Sequence, residues 1–357
     1  MPPLITGWFD PAPKGGFLRL ASNSYLAARG DQAIRMPGLR RGDLLTVENG
    51  RVVSVNGAPP DVVRDRSEFA ALGAVHPSRP LVLETPDAST PRTAELQRVV
   101  DLVCPLGFGQ RALIVSPPKA GKTVMLQAVA EAVALTHPET ALLILLVDER
   151  PEEVSEMIDW GRGEVIASSF DLPQERHVAV AEMVFEHARR QVEVGKDVVI
   201  VLDSLTRLAR SHNTTGQSSR RTLSGGLDAN ALAKPKAMFG AARAVPTGGS
   251  LTVVATALIE TESRMDDVIF EEFKGTGNAE LRLSRALADR RIYPAVDIAA
   301  SGTRREELLG DAITVAAKQA LRRGLVGLPP ERAMEMLLTY LRRHKTNADL
   351  LRSGGSA

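Results

Sequence analysis

The stretch SPPKAGKT, Ser116–Thr123, follows the apolar run ALIVS and precedes the helix-like TVMLQAVAEAV. In that setting free backbone amides and a helix N-terminus converge on an anion, Lys122 reaches the β and γ phosphates of a nucleotide, and the Thr123 hydroxyl holds Mg²⁺. A tight turn with a surface lysine is the competing reading, and Ser116, standing where such loops often carry glycine, adds to it. A second apolar run, VVIVLDS, ends in Asp203, a carboxylate placed either to order a Mg²⁺ shell or to cap the next helix. A third, ALLILLVDERPEEV, delivers Asp148, Glu149 and Arg150. A glutamate there polarises the water that attacks a γ phosphate and an arginine reads phosphate charge; the alternative is a solvated charge cluster.

Such residues need a scaffold that brings three strand ends together. The runs ALIVS, ALLILLV, VVIVL and LTVVATA are unbroken and apolar, and amphipathic segments such as ERHVAVAEMVFEHARRQVE separate them. This pattern predicts an α/β domain, a parallel sheet covered by helices on both faces. Upstream, between Gly7 and Gly57, the short β-type runs GFLRL, DLLTVE and RVVSV are split by glycine, proline and asparagine, which predicts a small antiparallel barrel or sheet. The intervening APPDVVRDRSE, HPSRP and TPDASTPRT read as an irregular connector with one strand at Pro80 to Glu84. The expected organisation is a β domain over residues 1–60, a connector over 61–94 and the α/β domain over 95–357.

The 357 residues carry 44 lysines and arginines against 43 acids, so no global positive field draws the chain to a polyanion and any such site is local. The single cysteine, Cys104, makes no intrachain disulfide, and the six histidines show no metal-site spacing. The start, MPPLITGWFD, lacks the regions of a secretion signal, and no apolar run approaches the roughly 18 residues that cross a membrane. A soluble protein of a reducing cytoplasm, without a membrane segment, is expected.

Taken in order, LGFGQRALIVSPPKAGKT, LLVDERPEEVSEM, VLDSLTRLARSHNT, LSGGLDANAL, FGAAR, GGSLTVVATAL, EEFKGTGN and SGTRREELL resemble the bacterial transcription termination factor Rho family, ring-forming RNA-dependent ATPases and helicases. The likeness covers almost the whole chain and is strongest from Pro105 to Leu309. It implies a RecA-like P-loop ATPase core preceded by a cold-shock-like (OB-fold) β-barrel, with ATP and Mg²⁺ bound. Within the loop Lys119, Ala120, Gly121, Lys122, Thr123 and Val124, the resemblance implies that both lysines contact phosphate; Thr123 and Asp203 serve Mg²⁺ and Glu149 activates water. It further implies that Gly107, Phe108, Gly109, Gln110, Arg111 and Ala112 join Arg150 and Tyr293 in the nucleotide pocket, the tyrosine ring stacking on adenine. Asp148, Arg150, Ser204 and Arg207 match the pocket of the family's antibiotic, bicyclomycin. Arg304 is similar to the arginine finger that reaches the ATP of a neighbouring subunit in a homohexamer; alone it reads equally as a surface arginine at a helix start.

Two RNA surfaces follow from the same resemblance. The first channel loop is SSRRTLSGGLDANALAKPK, with Arg221, Ser224 and Gly225 facing single-stranded RNA, and the second is IETESRMDD, with Arg264 as its basic residue. Glu262 stands where the family keeps a small residue, and an acid facing a polyanion weakens the grip. In the barrel, Gly15, Gly16, Phe17, Leu18 and Arg19 match the base-stacking surface, yet Gly15 and Ala33 occupy positions where aromatics are expected, and Trp8 either compensates or packs inside the barrel. Only six residues precede Gly7, so the helical segment that goes before the family's barrel is expected to be missing. The reading is an RNA-dependent ATPase and helicase with a weakened primary RNA site; whether it keeps contacts with RNA polymerase and the elongation factor NusG the sequence leaves open. An ATP-regulated RNA clamp and a rotary ATP synthase type subunit are the alternatives.

Overall fold

A computed structural model of the chain describes residues 4–216, 224–228 and 230–354. The N-terminal strands are β1 (Ile5–Ala12), β2 (Gly15–Arg19), β3 (Gln32–Ile34), β4 (Leu44–Glu48) and β5 (Arg51–Val55), a curled antiparallel sheet in the order β3-β2-β1-β4-β5. Its central strand, β1, escapes the sequence pattern because Gly7 and Pro11 interrupt it. The glycine has a packing reason: a Cβ at Gly7 would lie 2.4 Å from the Arg19 carbonyl, and one at Gly16 2.4 Å from the Phe9 ring. Phe9, Leu18, Ile34, Leu45, Val47 and Val55 fill the concave face.

The connector holds α1 (Pro60–Val63) and a 3-10 turn, Phe69–Ala71. Pro80 to Glu84 is not the strand expected of it. Leu81 and Leu83 are buried as in a strand, but Leu81 N–H bonds to the Leu106 carbonyl and Leu83 N–H to the Asp101 carboxylate, so no ladder forms. The helix α2 (Pro91–Val103) then starts at the Thr90 cap, whose hydroxyl accepts from Thr93 N–H, with Pro91 in the first turn.

The large domain continues with β6 (Arg111–Ser116), α3 (Lys122–Thr136), β7 (Ala141–Glu149), α4 (Pro151–Trp160), β8 (Glu164–Ser169), α5 (Gln174–Glu193), β9 (Asp197–Asp203), α6 (Leu205–Thr215) and α7 (Ala233–Gly240). After these come β10 (Arg243–Ala244), β11 (Ser250–Leu258), α8 (Arg264–Lys274), β12 (Ala279–Arg282), α9 (Arg285–Asp289), β13 (Gly302–Thr303), α10 (Ala312–Val326), α11 (Pro330–Arg343) and α12 (Asn347–Arg352). The sheet runs β13-β12-β6-β11-β9-β7-β8, parallel from β12 to β8, with β13 and β10 antiparallel at their partners' sides. Period-two alternation splits each strand between two cores: Ile114, Ile144 and Val201 face α2 and α3, while Val115, Leu145 and Leu202 face α5 and α6.

The N-terminal sheet is anchored into the second core. Trp8, fully buried, stacks between Tyr25 (ring centroids 3.6 Å apart) and His187 of α5 (4.0 Å). The Tyr25 hydroxyl donates to Glu164, and Arg66 joins Asp43 (2.6 Å) to Glu193 (2.9 Å). Among the described residues, no helix is long and apolar enough to cross a membrane.

Candidate active site

The turn between β6 and α3 uses left-handed backbone at Lys119 (φ 65°) and Gly121 (φ 97°) but not at Ser116. Glycine is therefore required at 121 and not at 116, where the serine hydroxyl donates to the Pro117 carbonyl (2.9 Å). Lys119 and Val124 are exposed at the mouth of the loop, and Ala120 is buried beneath it. Lys122 Nζ, at the start of α3 beside Thr123, donates to Asp203 Oδ1 (2.6 Å) and Glu149 Oε1 (3.0 Å). Residues from three separate runs thus meet at one edge of the parallel sheet, the edge where ligands bind in such folds.

The register explains why those side chains converge. Leu146 of β7 pairs with Asp203 of β9, so Glu149 extends past the end of β9. The β7–β8 ladder shifts between Val147 and Glu149, with Asp148 at φ 59°, a bulge that re-aims the glutamate inward, where it is 2% exposed. Asp203 is not a helix cap: Ser204 caps α6 by accepting from Arg207 N–H (3.2 Å), leaving Asp203 to take Thr256 Oγ1 (2.7 Å) and Lys122. Arg207 donates to the Asp148 carbonyl and lies 3.3 Å from Glu149 Oε2. Asp148, Ser204 and Arg207 are thereby gathered, whereas Arg150 reaches outward towards Glu153 (3.8 Å).

Burial pushes the carboxyl pKa values of Asp203 and Glu149 up, against the pull of Lys122. Burial disfavours the lysine's charge too, but the two carboxylates more than offset it and raise its pKa. The pocket favours a positive charge between two acids, which is what a phosphate-bound cation or the lysine itself supplies.

Residues Gly107 to Ala112 lead into the start of β6, whereas the phosphate loop follows its last residue, and the strand holds its two ends about 17 Å apart at ~3.3 Å per residue. Their work is structural: Phe108 packs edge-on against His137 (5.1 Å), and Gly109 N–H donates to Thr252 Oγ1 (2.8 Å) at φ 95°, where a Cβ would lie 2.3 Å from Ala244 N. Gln110 Nε2 donates to Asn278 Oδ1 (2.8 Å), Arg111 donates to the carbonyls of Thr276 (2.8 Å) and Ala242 (2.9 Å), and Ala112 is buried. Tyr293 is on the loop's edge, in the segment that leaves β12 where Leu283 N–H meets the Val115 carbonyl, and the Arg92 guanidinium lies over its ring at 4.8 Å.

Arg304 sits with the opposite group. Its N–H donates to the Asn278 carbonyl (2.8 Å), and Asn278 N–H to that of Arg111 (2.9 Å), so it stands at the end of the sheet remote from its own phosphate loop. It is exposed, and among the described residues its side chain makes no hydrogen bond or ion pair.

The two segments expected to line a channel touch. Gly225 (φ 77°) lies in the 3-10 turn Ser224–Gly226, where a Cβ would be 2.7 Å from Met265 N and 2.9 Å from the Arg264 carbonyl carbon. Arg264 is the exposed first residue of α8; Arg221 falls outside the described residues. Glu262 is exposed at φ 64°, strained for a residue with a Cβ. Both segments hang on α6: Arg210 grips Asp266 through two bonds (2.8 and 2.6 Å), and Asn213 bonds the Gly226 carbonyl (3.3 Å) and Asp228 N–H (2.8 Å).

In the N-terminal sheet the outer face offers Phe17 and, 5.0 Å over its ring, Arg19, whose charge is matched by Asp10 (2.7 Å) and Asp31 (2.5 Å). Leu18 is 1% exposed and belongs to the core, and Gly16 is buried against Phe9, so neither offers a side chain to RNA, which corrects that part of the reading. Gly15 has φ 121° and a Cβ there would meet the Ile34 carbonyl at 2.6 Å, so the backbone itself excludes an aromatic. Trp8 is buried in its stack and cannot substitute.

The nucleotide-binding domain of the ATP synthase alpha/beta family matches residues 97–303. A transcription termination factor Rho of Aquifex aeolicus is 48% identical over 371 residues, 98% of this chain and 84% of that one. The chain belongs to the Rho family. Further Rho proteins are 55% identical in Gemmatimonas aurantiaca, over 97% of this chain and 50% of that one, and 49% identical in Streptosporangium roseum, over 97% and 91%. The chain thus spans about half the length of the Gemmatimonas Rho. Among solved structures, a prototypical ATPase from the type III secretion system of pathogenic bacteria shares the fold (TM-score 0.60, 20% identity, 80% of this chain and 83% of that one). So does the assembled ATPase EscN of enteropathogenic E. coli (TM-score 0.59, 19%, 80% and 68%). As a Rho family member the chain shares its core with ATP synthase subunits, while whole-chain identity separates it from a rotary one.

Sequence reasoning did not single out Thr256, which bonds Asp203, or Arg210 and Asn213, which hold the segments around Gly225 and Arg264. Thr256 follows an apolar run as an isolated hydroxyl facing into a buried strand, a signal that was available. Arg210 and Asn213 lie in the polar stretch Arg210 to Thr215 of α6 and carry no signature without the fold.

Proposed function

We propose that this chain is an RNA-dependent ATPase and helicase, working as a hexameric ring of identical subunits that draws single-stranded RNA through its centre and drives transcription termination, with RNA polymerase and NusG as partners. The placement of Arg304 carries this reading. An exposed, unpaired guanidinium at the sheet end away from its own phosphate loop serves hydrolysis only across a subunit boundary.

The chemistry follows from the residues. Lys122 neutralises β and γ phosphate charge at the N-terminus of α3, and Glu149, held by Lys122 and Arg207, orients the attacking water. Mg²⁺ fits the Thr123 hydroxyl and the Asp203 carboxylate, hard oxygen donors at a spot where the Lys122 ammonium already bridges two acids, and it would neutralise phosphate charge there. Arg304 of the neighbouring subunit adds charge as the γ phosphate leaves.

Coupling to RNA runs through α6. The helix starts after its Ser204 cap, next to Asp203, and about 9 and 13 Å on, at ~1.5 Å per residue, Arg210 and Asn213 hold the two channel segments. A shift at the phosphate end moves both segments together. That the catalytic set keeps its working arrangement favours a motor over a passive clamp. The barrel, short of aromatics at Gly15 and Ala33, supports a weakened primary site, since each lost stacked base removes about 1 to 3 kcal/mol.

RNA-stimulated ATPase of the assembled chain tests the proposal. Arg304→Ala should lower turnover by about 10³ to 10⁵ while ATP binding and assembly persist. Hydrolysis that ignores RNA, or an Arg304→Ala variant that turns over normally, would overturn it.

A further inference from the structure

On the side of the domain where β6 begins, the connector, α10 and α12 enclose a cavity of about 430 Å³. Its walls are mainly apolar: Leu81, Leu106, Leu309, Ile313 and Leu351 line it. Ile313 is 84% exposed at its mouth.

The cavity also holds a half-buried ammonium. Lys318 of α10 lines it and, among the described residues, makes no hydrogen bond and no ion pair within 4.0 Å. The acids around it are engaged elsewhere. Asp101 accepts from Leu83 and Glu84 N–H, Glu84 accepts from Asn347 N–H (2.9 Å) and pairs with Arg98 (3.2 Å), and Glu306 is held by Arg322 and Gln319. Arg352, at the rim, is 78% exposed and near Asp349 (3.5 Å). Burial lowers the Lys318 pKa, with Asp101 and Glu306 opposing this only in part. Glu84, Asp101 and Arg352 line the same chamber, but each is engaged with other groups, so its one unpaired charge among the described residues is the Lys318 ammonium, and a mainly apolar chamber with that cation is complementary to one class of ligand.

We propose that this cavity binds a small amphiphilic carboxylate, its hydrocarbon body against Leu81, Leu106, Leu309 and Ile313 and its carboxylate on the Lys318 ammonium. Leu309 closes the segment that starts at Arg304, and its side chain abuts Gly107, where a Cβ would lie 2.5 Å from Leu309 Cδ2. The site and the segment bearing Arg304 therefore share a wall.

Calorimetry and thermal shift on the full chain, with decanoate, decanol and decylamine each below its micelle-forming concentration, test this. Decanoate should bind saturably and roughly ten-fold or more tighter than decanol, as a charge-assisted contact provides, with decylamine weakest. Lys318→Met should bring decanoate down to the affinity of decanol, and Ala317→Trp, which fills the chamber, should remove both while ATP still binds. No saturable decanoate binding, or binding that neither substitution changes, overturns the proposal.

Discussion

If Arg304 acts only across a subunit boundary, two inactive variants should rescue each other. Subunits carrying Arg304→Ala keep their own Glu149, and subunits carrying Glu149→Gln keep their finger. Within one chain the length of β6, about 17 Å at ~3.3 Å per residue, separates Arg304's end of the sheet from the phosphate loop, beyond the reach of an arginine side chain. In a random equal mixture half of the sites hold an intact glutamate, and half of those face an intact arginine, so about a quarter should be competent. Each parent alone should have none; Arg304→Ala itself lowers the rate by about 10³ to 10⁵. Single-turnover hydrolysis of γ-labelled ATP with RNA, after subunits are separated and reassembled together, reads the competent fraction as a burst amplitude without requiring the ring to cycle. An amplitude no larger than the sum of the parents would place Arg304 and Glu149 in the same subunit's site and refute the reasoning.

Glu262→Gly should relieve the left-handed strain at φ 64°, worth about 1 kcal/mol, and remove an acid from the channel, so RNA-stimulated ATPase should saturate at lower RNA concentration; unchanged saturation in a salt titration would mean that the residue faces away from RNA. Gly225→Ala should force the first channel turn off Met265, weakening RNA stimulation while ATP binding stays as it was, and an unaltered RNA response would show the contact to be dispensable. Two buried groups should tilt stability in opposite directions between pH 4 and 6. Burial depresses the His187 pKa from 6.5 to about 4, so its contribution, present above 6.5, is lost as pH falls through about 4; burial raises the Asp101 pKa from 3.8 to about 6, so its contribution, present below 3.8, is lost as pH rises through about 6. Each is worth on the order of 3 kcal/mol at ~1.36 kcal/mol per pH unit. In urea unfolding across that range, His187→Gln should leave stability that falls with pH and Asp101→Asn stability that rises; identical slopes in both variants would contradict the assignment.

The α/β core and its phosphate loop were legible because their signals are local. Continuous apolar runs can only be strands buried on both faces, and the spacing of Lys122 and Thr123 after such a run is set by one turn of backbone. Asp203 and Glu149 were legible for a related reason, since strand-terminal carboxylates in a parallel sheet share an edge. Local signals do not say which end of a strand a residue occupies: Gly107 to Ala112 are adjacent in sequence to the loop yet sit at the opposite end of β6 from it. The strand at β1 was hidden because its glycine answers to the neighbouring strand, Arg19, and not to its own segment.

By itself the amino-acid sequence determined the phosphate loop, the layered core and the family, because each rests on residue types at short fixed spacings. Tertiary structure alone decided that Trp8 is sealed between Tyr25 and His187, that Ser204 frees Asp203 from capping, that α6 joins Asp203's end of the sheet to the segments around Gly225 and Arg264, and that Arg304 stands at the end of the sheet away from the Lys122 loop. Those facts depend on contacts between residues far apart in the chain, whose partners are chosen by packing and strand order and leave no pattern within any one segment.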